Sequence, residues 1–284
     1  MDEDAGSMNR VFKSGAGAVV TKSIGMKSRD GYPNPTAIEL EHGIINAMGL
    51  PNPGIDNFSE EIKELKNSKK PIIGSIFGSN TKEFIYLATK MQEYGADALE
   101  LNMSCPHAKG YGLETGSDPK LVKEITSNVK KSVKIPIFVK ISPNLTNIVE
   151  IAKAAEKGKA DAIVTINTVK AMKIDLETQM PILSNKIGGY SGKAVKPIGI
   201  RCVYEISNNI KIPVIGVGGI TTGEDMIEYF MAGATAVQIG SAVYYRGIDV
   251  FKKVCKEAEE WMKKHNYKNL SDLIGVAQIW TIPK

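Results

Sequence analysis

The chain has 284 residues, of which 43% are hydrophobic, and a formal net charge of +5 that comes from scattered lysines. This size and composition fit one globular core, and the lack of a clustered basic patch argues against nucleic-acid binding. No apolar run is long enough to span a membrane, and the three cysteines lack metal-ligand spacing. We therefore expect a reduced, cytoplasmic protein without a metal or a membrane anchor.

Two alternating sequence phrases predict the strands of a parallel sheet. A glycine- and alanine-rich phrase leads into one kind of apolar run, and a proline opens the other kind, as expected where a strand follows a helix. In chain order the predicted strands are Ala18–Ser23, Pro71–Ile76, Ala98–Met103, Pro136–Ile141, Ala162–Asn167, Pro213–Gly218 and Ala236–Ser241. Helix-period stretches lie between them, with starts at Thr81, at Asp118 followed by Pro119, and at Thr146. Doubly buried strands that alternate with helices predict a (β/α)8 barrel, the TIM-barrel fold, as a single domain over residues 1–284.

The predicted strands are one short of a closed barrel. A strand of the proline type should precede the first one, but Asp2–Ser14 has the pattern of a helix. We expect the natural chain to begin roughly 20 residues further upstream, with Met1 an internal methionine. A naturally open or rearranged barrel is the alternative.

Polar side chains end several of the predicted strands, at the edge where barrels of this kind build their functional sites. These residues are Lys22, Ser23, Asn102, Lys140, Asn167 and Thr168. Two glycine turns, Gly218-Gly219 and Gly240-Ser241, follow the last two strands, where backbone N–H groups commonly bind phosphate. The pattern favours a phosphate-bearing ligand and lysines that stabilise negative charge. The alternatives are ordinary turn glycines and surface lysines.

Cys105 directly follows the predicted strand end Asn102-Met103-Ser104 and opens a loop, Pro106–Ser117. That loop is longer than the roughly 2–6 residues of a typical βα loop. A thiolate at this place could take a proton or attack an electrophile. Cys202 and Cys255 lie in helical stretches, and we expect them to be buried small apolar residues. No Ser/His/Asp set accompanies Cys105, so hydrolase chemistry has little support.

Over nearly its whole length the chain resembles the dihydroorotate dehydrogenase family. The phrases that carry the resemblance are Thr21-Lys22-Ser23-Ile24, Asn46-Ala47-Met48-Gly49-Leu50-Pro51-Asn52, Asn102-Met103-Ser104-Cys105-Pro106, Ile166-Asn167-Thr168, Gly188-Gly189-Tyr190-Ser191-Gly192 and the two glycine turns. The stretch from Pro181 to Pro197 is most similar to class 1B members, which pass electrons to NAD through a partner subunit.

The resemblance implies a flavoprotein oxidoreductase that oxidises dihydroorotate to orotate in pyrimidine (UMP) biosynthesis, with FMN as its cofactor. The implied substrate contacts are Lys22, Asn46, Met48, Gly49, Leu50, Asn102, Asn167 and Thr168. The implied FMN contacts are Lys22, Ser23, Asn102, Lys140, Ile166, Gly192, Gly218, Gly219, Gly240 and Ser241. Cys105 would be the base at substrate C5 while C6 delivers hydride to the flavin. Family likeness alone implies a homodimer that joins two FAD/Fe–S electron-transfer subunits in a heterotetramer.

Three features depart from the family pattern. The first barrel strand, which contributes small residues beside the flavin, is missing; His107 and Ser75 each stand where relatives usually place an asparagine. The Cys-Pro-His phrase also occurs in dihydropyrimidine dehydrogenases, so uracil or thymine reduction is the alternative activity. An alternative of another class is a flavin-less scaffold that only binds a partner. The electron acceptor and the role of the helical tail from Phe251 onward stay open.

Overall fold

The computed structural model describes residues 4–104 and 116–279. The strands, numbered in chain order, are β1 (Val19–Val20), β2 (Ala37–Leu40), β3 (Gly43–Asn46), β4 (Ile72–Ile76), β5 (Ala98–Asn102), β6 (Ile137–Lys140), β7 (Ala162–Thr165), β8 (Val169–Ala171), β9 (Ile174–Asp175), β10 (Met180–Pro181), β11 (Gly188–Ser191), β12 (Val214–Val217) and β13 (Ala236–Gln238). The helices are α1 (Ala5–Lys13), α2 (Ser59–Leu65), α3 (Thr81–Tyr94), α4 (Pro119–Ser132), α5 (Ile148–Lys157), α6 (Lys196–Ser207), α7 (Gly223–Ala232), α8 (Ala242–Arg246) and α9 (Val250–Lys264). Short 3-10 turns occupy Ile55–Asn57, Lys66–Ser68, Lys193–Val195, Leu270–Leu273 and Val276–Ile279.

Within the described ranges, seven parallel strands form the main sheet in the order β1-β4-β5-β6-β7-β12-β13. Each corresponds to one of the predicted strands, and all seven are shorter than predicted. Gln238 on β13 donates a hydrogen bond of 2.9 Å to Glu100 on β5, four strand positions away. A flat sheet would separate these strands by about 19 Å, from a spacing of about 4.8 Å per strand. The sheet is therefore curled, and its alternation with helices is that of a (β/α)8 barrel.

The expected eighth strand has no counterpart in the part of the chain that the structure describes. In those residues no strand pairs with the outer edge of β1 or of β13. The fold is thus a (β/α)8 barrel in which the sheet is open between these two strands.

The two faces of the barrel strands carry different side chains. Along β5, Leu99 and Leu101 are fully buried in the core between sheet and helices. The alternate residues Glu100 and Asn102 point to the other face, which is the inside of the barrel. Since side chains on one face of neighbouring strands lie together, this alternation brings the polar groups of several strands to the inside of the barrel.

The helices begin where short polar side chains can cap their first N–H groups. Asp118 accepts from Lys120 N at 2.8 Å and Pro119 takes the first turn of α4, as predicted. For α3 and α5 the caps are Asn80 and Asn147, each one residue from the predicted threonine. Asparagine is at least as good an N-cap as threonine, which explains the small shift.

A second, antiparallel sheet with the order β2-β3-β11-β8 lies beyond the carboxyl ends of β1 and β7. Its register pairs Asn46 on β3 with Gly189 on β11. Ile45, Ala47 and Leu183 form a small buried cluster beneath it. We did not predict this sheet or the β9–β10 hairpin, because these strands are short and have many exposed residues. None of the helices in the described ranges has the length and apolarity of a membrane span.

Candidate active site

A chain of side-chain hydrogen bonds crosses the carboxyl ends of β1, β4, β5 and β7. Ser23 Oγ lies 2.8 Å from Ser75 Oγ and accepts from Asn102 Nδ2 at 2.9 Å. Ser104 Oγ donates to Asn102 Oδ1 at 2.9 Å and accepts from Asn167 Nδ2 at 2.8 Å. Three of the predicted site residues, Ser23, Asn102 and Asn167, are therefore joined into one network. Ser104, for which the sequence predicts no role, lies at the centre of this network.

Burial fixes the centre of this network. Ser104 is fully buried and Asn102 is 8% exposed, while Asn167 and Ser23 are half-buried. Thr21 anchors the end of β1, since its hydroxyl accepts from Ser75 N at 3.0 Å. Because Lys22 lies between Thr21 and Ser23, its backbone is held at the barrel mouth by both neighbours.

Asn144 orders the segment that follows β7. Its side-chain amide donates to Ser142 Oγ and to Thr168 O, each at 2.9 Å, and its oxygen accepts from Lys170 N at 2.8 Å. Thr168 N in turn donates to Asn167 Oδ1 at 2.8 Å. The peptide between Thr165 and Ile166 is cis. Asn167 and Thr168 thus have a fixed arrangement, and Asn144, which sequence reasoning missed, helps to hold it.

The end of β3 and the loop after it carry the predicted residues Asn46, Met48, Gly49 and Leu50. The buried Asn52 holds this loop, because its oxygen accepts from Gly25 N and Gly54 N at 3.1 and 2.9 Å and its amide donates to Leu50 O at 3.0 Å. Gly49 and Leu50 have positive φ values of 79° and 58°. Met48 is 42% exposed, and the side-chain amide of Asn46 makes a long contact of 3.5 Å to Gly189 O. The loop is tied down from beneath while Met48 stays open to solvent.

Lys140 lies beside a buried carboxylate that the sequence analysis did not single out. Its Nζ is 3.4 Å from Glu100 Oε1, and the Glu100 side chain is only 2% exposed. The Lys140 side chain is 18% exposed. The lysine side chain therefore lies on the inside of the barrel, close to a buried carboxylate.

The two glycine turns lie side by side, since Val217 on β12 pairs with Gln238 on β13 just before them. Gly218 and Gly219 have φ values of 127° and 70°. A Cβ on Gly219 would lie 2.8 Å from Gly192 O, so a side chain at position 219 does not fit there without a shift. Gly192 is itself one of the residues predicted to contact FMN. Tyr229 supports the turn from the helix side through a bond of 2.7 Å to Gly218 O, and burial raises the pKa of its hydroxyl, which stays protonated.

An ion pair fixes the chain just beyond this turn. Lys196 Nζ lies 2.8 Å from Asp225 Oδ1, and Asp225 also accepts from the backbone N–H groups of Thr221 and Thr222. Burial alone would raise the pKa of Asp225, but the Lys196 ammonium and these donors outweigh burial and lower the pKa to about 2. Asp225 is thus an ionised cap that orders the start of α7.

The cysteines differ in surroundings. Cys105 and His107 lie outside the described residues. Cys202 is buried, as expected, and burial raises the pKa of its thiol to about 11. The expectation that Cys255 is buried was wrong, because the residue is exposed. The buried face of α9 contains Val250, Val254 and Ala258, and Cys255 follows Val254 by one residue, which turns its side chain away from that face. No cluster of metal-ligating side chains occurs among the residues that the structure describes.

The fold and the site together define a class: a (β/α)8 barrel whose mouth combines amide side chains, lysines and glycine turns. Comparison of the sequence with known protein families identifies the family within this class. Residues 1–262 match the model of the family described as dihydroorotate dehydrogenase. The chain belongs to the dihydroorotate dehydrogenase family.

Its similar relatives include the dihydroorotate dehydrogenase B (NAD(+)) catalytic subunit of Thermoplasma acidophilum, 54% identical over 98% of this chain and 92% of the relative. The proteins of the same description from Methanocaldococcus jannaschii and Pyrococcus abyssi are 52% and 51% identical. These alignments cover 98% and 95% of this chain, and 91% and 90% of the relatives.

Proposed function

We propose that the protein is the catalytic subunit of a dihydroorotate dehydrogenase that oxidises dihydroorotate to orotate in pyrimidine biosynthesis. The observation that carries the proposal is the network in which Ser104 joins Asn102 to Asn167, directly before Cys105, in a chain of this family. Two amides held in place by hydrogen bonds suit a planar, polar substrate ring, because amides both donate and accept hydrogen bonds.

The glycine turns suit the phosphate of FMN. Within residues 4–104 and 116–279, the backbone N–H groups of Gly219, Gly240 and Ser241 donate to no acceptor of the protein. Free N–H groups on adjacent strand ends are the donors that a phosphate needs. At Gly240 a Cβ would meet nothing within 4 Å, which leaves open space above this turn. The donors and the space thus fit a bound phosphate group.

The other residues proposed to hold FMN are Lys22, Ser23, Asn102, Lys140, Ile166, Gly192 and Gly218. Bound FMN would supply the acceptor for the hydride that leaves C6 of dihydroorotate. The residues proposed to bind dihydroorotate are Lys22, Asn46, Met48, Gly49, Leu50, Asn102, Asn167 and Thr168. Lys22 would balance the negative charge of the bound ligands, and Asn102 and Asn167 would orient the substrate ring through their amides.

Cys105 is proposed as the base that takes the proton from C5, so that loss of a proton and a hydride leaves the C5–C6 double bond of orotate. A thiol suits this role because its pKa, ordinarily about 8.5, can be tuned toward neutrality. Ser104 supports the assignment, since it is fully buried and fixes the chain directly before the cysteine.

The electrons are proposed to leave for NAD through a partner subunit with FAD and an Fe–S cluster, which would join a homodimer of this chain in the cytoplasm. The relatives' description as NAD(+)-linked catalytic subunits supports such a partner. The three cysteines of this chain are too few to hold a cluster.

The test is the visible spectrum of the protein after addition of FMN, recorded before and after anaerobic dihydroorotate. We expect bound flavin that dihydroorotate bleaches and dihydrouracil does not. Bleaching by dihydrouracil alone would show the dihydropyrimidine activity instead, and a protein that binds no FMN would contradict the proposal.

A matched pair of variants tests the site. Asn167→Ala should retain FMN but lose bleaching at low dihydroorotate concentration. Asn209→Ala, which removes an exposed amide on the outer surface beside Lys153, should behave as wild type.

A further inference from the structure

Glu100 is a buried carboxylate that has no part in the function proposed above. It lies on the inner face of β5 and is 2% exposed. One of its oxygens is 3.4 Å from Lys140 Nζ, and the other accepts from Gln238 Nε2 at 2.9 Å. The three side chains come from β5, β6 and β13, so the cluster spans the inside of the curled sheet.

A carboxylate that is buried inside the barrel needs polar or charged partners. Burial of an unpaired carboxylate is strongly unfavourable, whereas a paired and hydrogen-bonded one is tolerated. Lys140 supplies the opposite charge and Gln238 the hydrogen bond, so both oxygens of Glu100 are satisfied. Gln238 on β13 thus lies where its side-chain amide can donate to the buried carboxylate of Glu100 on β5.

The geometry of the pair leaves Lys140 available for a ligand. A tight charge-assisted hydrogen bond between nitrogen and oxygen measures about 2.7–2.9 Å. The separation of 3.4 Å is longer, and 18% of the Lys140 side chain remains exposed. The ammonium is therefore held near Glu100 while its hydrogen atoms remain usable at the barrel mouth.

We propose that Glu100, together with Gln238, is a positioning residue that holds the Lys140 ammonium at the mouth and offsets part of its charge, and so sets the reduction potential of the bound flavin. This inference rests on the proposed binding of FMN near Lys140. A reduced flavin carries more negative charge than an oxidised one, and an uncompensated cation stabilises that charge more than a compensated cation does. Glu100 therefore keeps the flavin's potential lower than Lys140 alone would make it.

The experiment compares Glu100→Gln with Glu93→Gln in the FMN-loaded protein. Both changes remove one negative charge from a glutamate paired with a lysine, but Glu93 pairs with Lys90 on the outer surface of α3. For Glu100→Gln we expect the ratio of reduced to oxidised flavin at a fixed potential to rise about tenfold, equivalent to about +30 mV for a two-electron couple. For Glu93→Gln we expect no change.

Two further measurements test the inference, and the first of them keeps it testable if Glu100→Gln folds poorly. Gln238→Met removes the hydrogen bond that stabilises the ionised carboxylate of Glu100. Glu100 should then offset less of the Lys140 charge, so the flavin ratio should rise, in the same direction as in Glu100→Gln. A double-mutant cycle between Glu100→Gln and Lys140→Met on the unfolding of the FMN-free chain should show a coupling of about tenfold in the unfolding constant.

The outcomes separate the two proposals. An unchanged potential in Glu100→Gln, in a protein that binds FMN and is reduced by dihydroorotate, overturns the inference and leaves the proposed function standing. Absence of coupling in the FMN-free chain overturns the inference as well. A wild-type chain that binds no FMN contradicts the proposed function, and the role of Glu100 toward the flavin falls with it.

Discussion

Ser104 joins two amide side chains at the barrel mouth, and its replacement by alanine tests whether that link orders the site. Its hydroxyl donates to Asn102 Oδ1 at 2.9 Å and accepts from Asn167 Nδ2 at 2.8 Å, and the residue is fully buried. Ser104→Ala removes both bonds at once without adding bulk. Asn102 Oδ1 then keeps the longer contact of 3.3 Å from Ser104 N, and the Asn102 amide still donates to Ser23 Oγ at 2.9 Å.

The expected cost follows from these contacts. A neutral hydrogen bond contributes about 0.5–1.5 kcal/mol net, and a buried polar group left unpaired costs about 1–3 kcal/mol. Asn102 retains one donor and Asn167 is half-buried, so we expect a loss of about 2 kcal/mol in the free energy of unfolding. Both amides also lose the partner that orients them, and we expect the Kd for orotate to rise about tenfold, equivalent to about 1.4 kcal/mol.

The assay combines equilibrium urea denaturation with titration of orotate into the FMN-loaded protein. Ser132→Ala is the matched control: it also removes a serine hydroxyl, but one that donates to Val129 O at the end of α4, away from the barrel mouth. The control should change stability by less than about 0.5 kcal/mol. If Ser104→Ala is as stable as the control and binds orotate like wild type, then Ser104 does not order the amides and the network carries no function.

Three further predictions concern the glycine turn after β12 and the chain beside it. The pKa of Asp225 in the folded protein is about 2, below its ordinary value of 3.8. Ionised Asp225 therefore stabilises the fold above about pH 4, and this contribution is lost as the pH falls toward 2. Acid unfolding should show the loss of about 2 kcal/mol in wild type, and Asp225→Asn should lack this pH-dependent step. Tyr229→Phe should cost about 1–2 kcal/mol in urea denaturation because Gly218 O loses its buried donor, whereas unchanged stability would mean that the bond contributes nothing. Gly219→Ala forces a side chain onto a φ of +70° and against Gly192 O, so FMN fluorescence titration should show a Kd raised more than about tenfold; wild-type affinity would contradict the phosphate role of the turn.

The barrel strands were predictable because their signals are local. Each is preceded by a proline or by a glycine- and alanine-rich phrase, and a short apolar run follows. Strand ends were placed less well: Ala236–Gln238 is half the length predicted, since the polar turn Gly240-Ser241 was counted as strand. The antiparallel sheet was missed because Ala37–Leu40 alternates between exposed and half-buried residues, which gives no apolar run to detect.

The site residues were predictable where a polar side chain stands at the end of an apolar strand. Asn102, Lys140 and Asn167 are polar residues at or just beyond the ends of apolar strands, so their convergence follows from the fold alone. Ser104 and Asn144 gave no such signal, because serine and asparagine in loops are common turn residues. What identifies them is their partners, which lie 63 and 24 residues away in the chain.

Glu100 shows what the alternation of apolar and polar residues along a strand can predict. The run Ala98-Leu99-Glu100-Leu101-Asn102 alternates large apolar with polar residues, although a strand of a closed barrel should be apolar on both faces. That conflict was readable from the sequence, and it indicates a charge directed to the inside of the barrel. A buried carboxylate requires a cation and a donor, which predicts that partners exist without naming them. Only the curled sheet brings Gln238, 138 residues away, within hydrogen-bond distance. Local breaks in a regular pattern can therefore locate a functional charge, while the identity of its partners depends on tertiary structure.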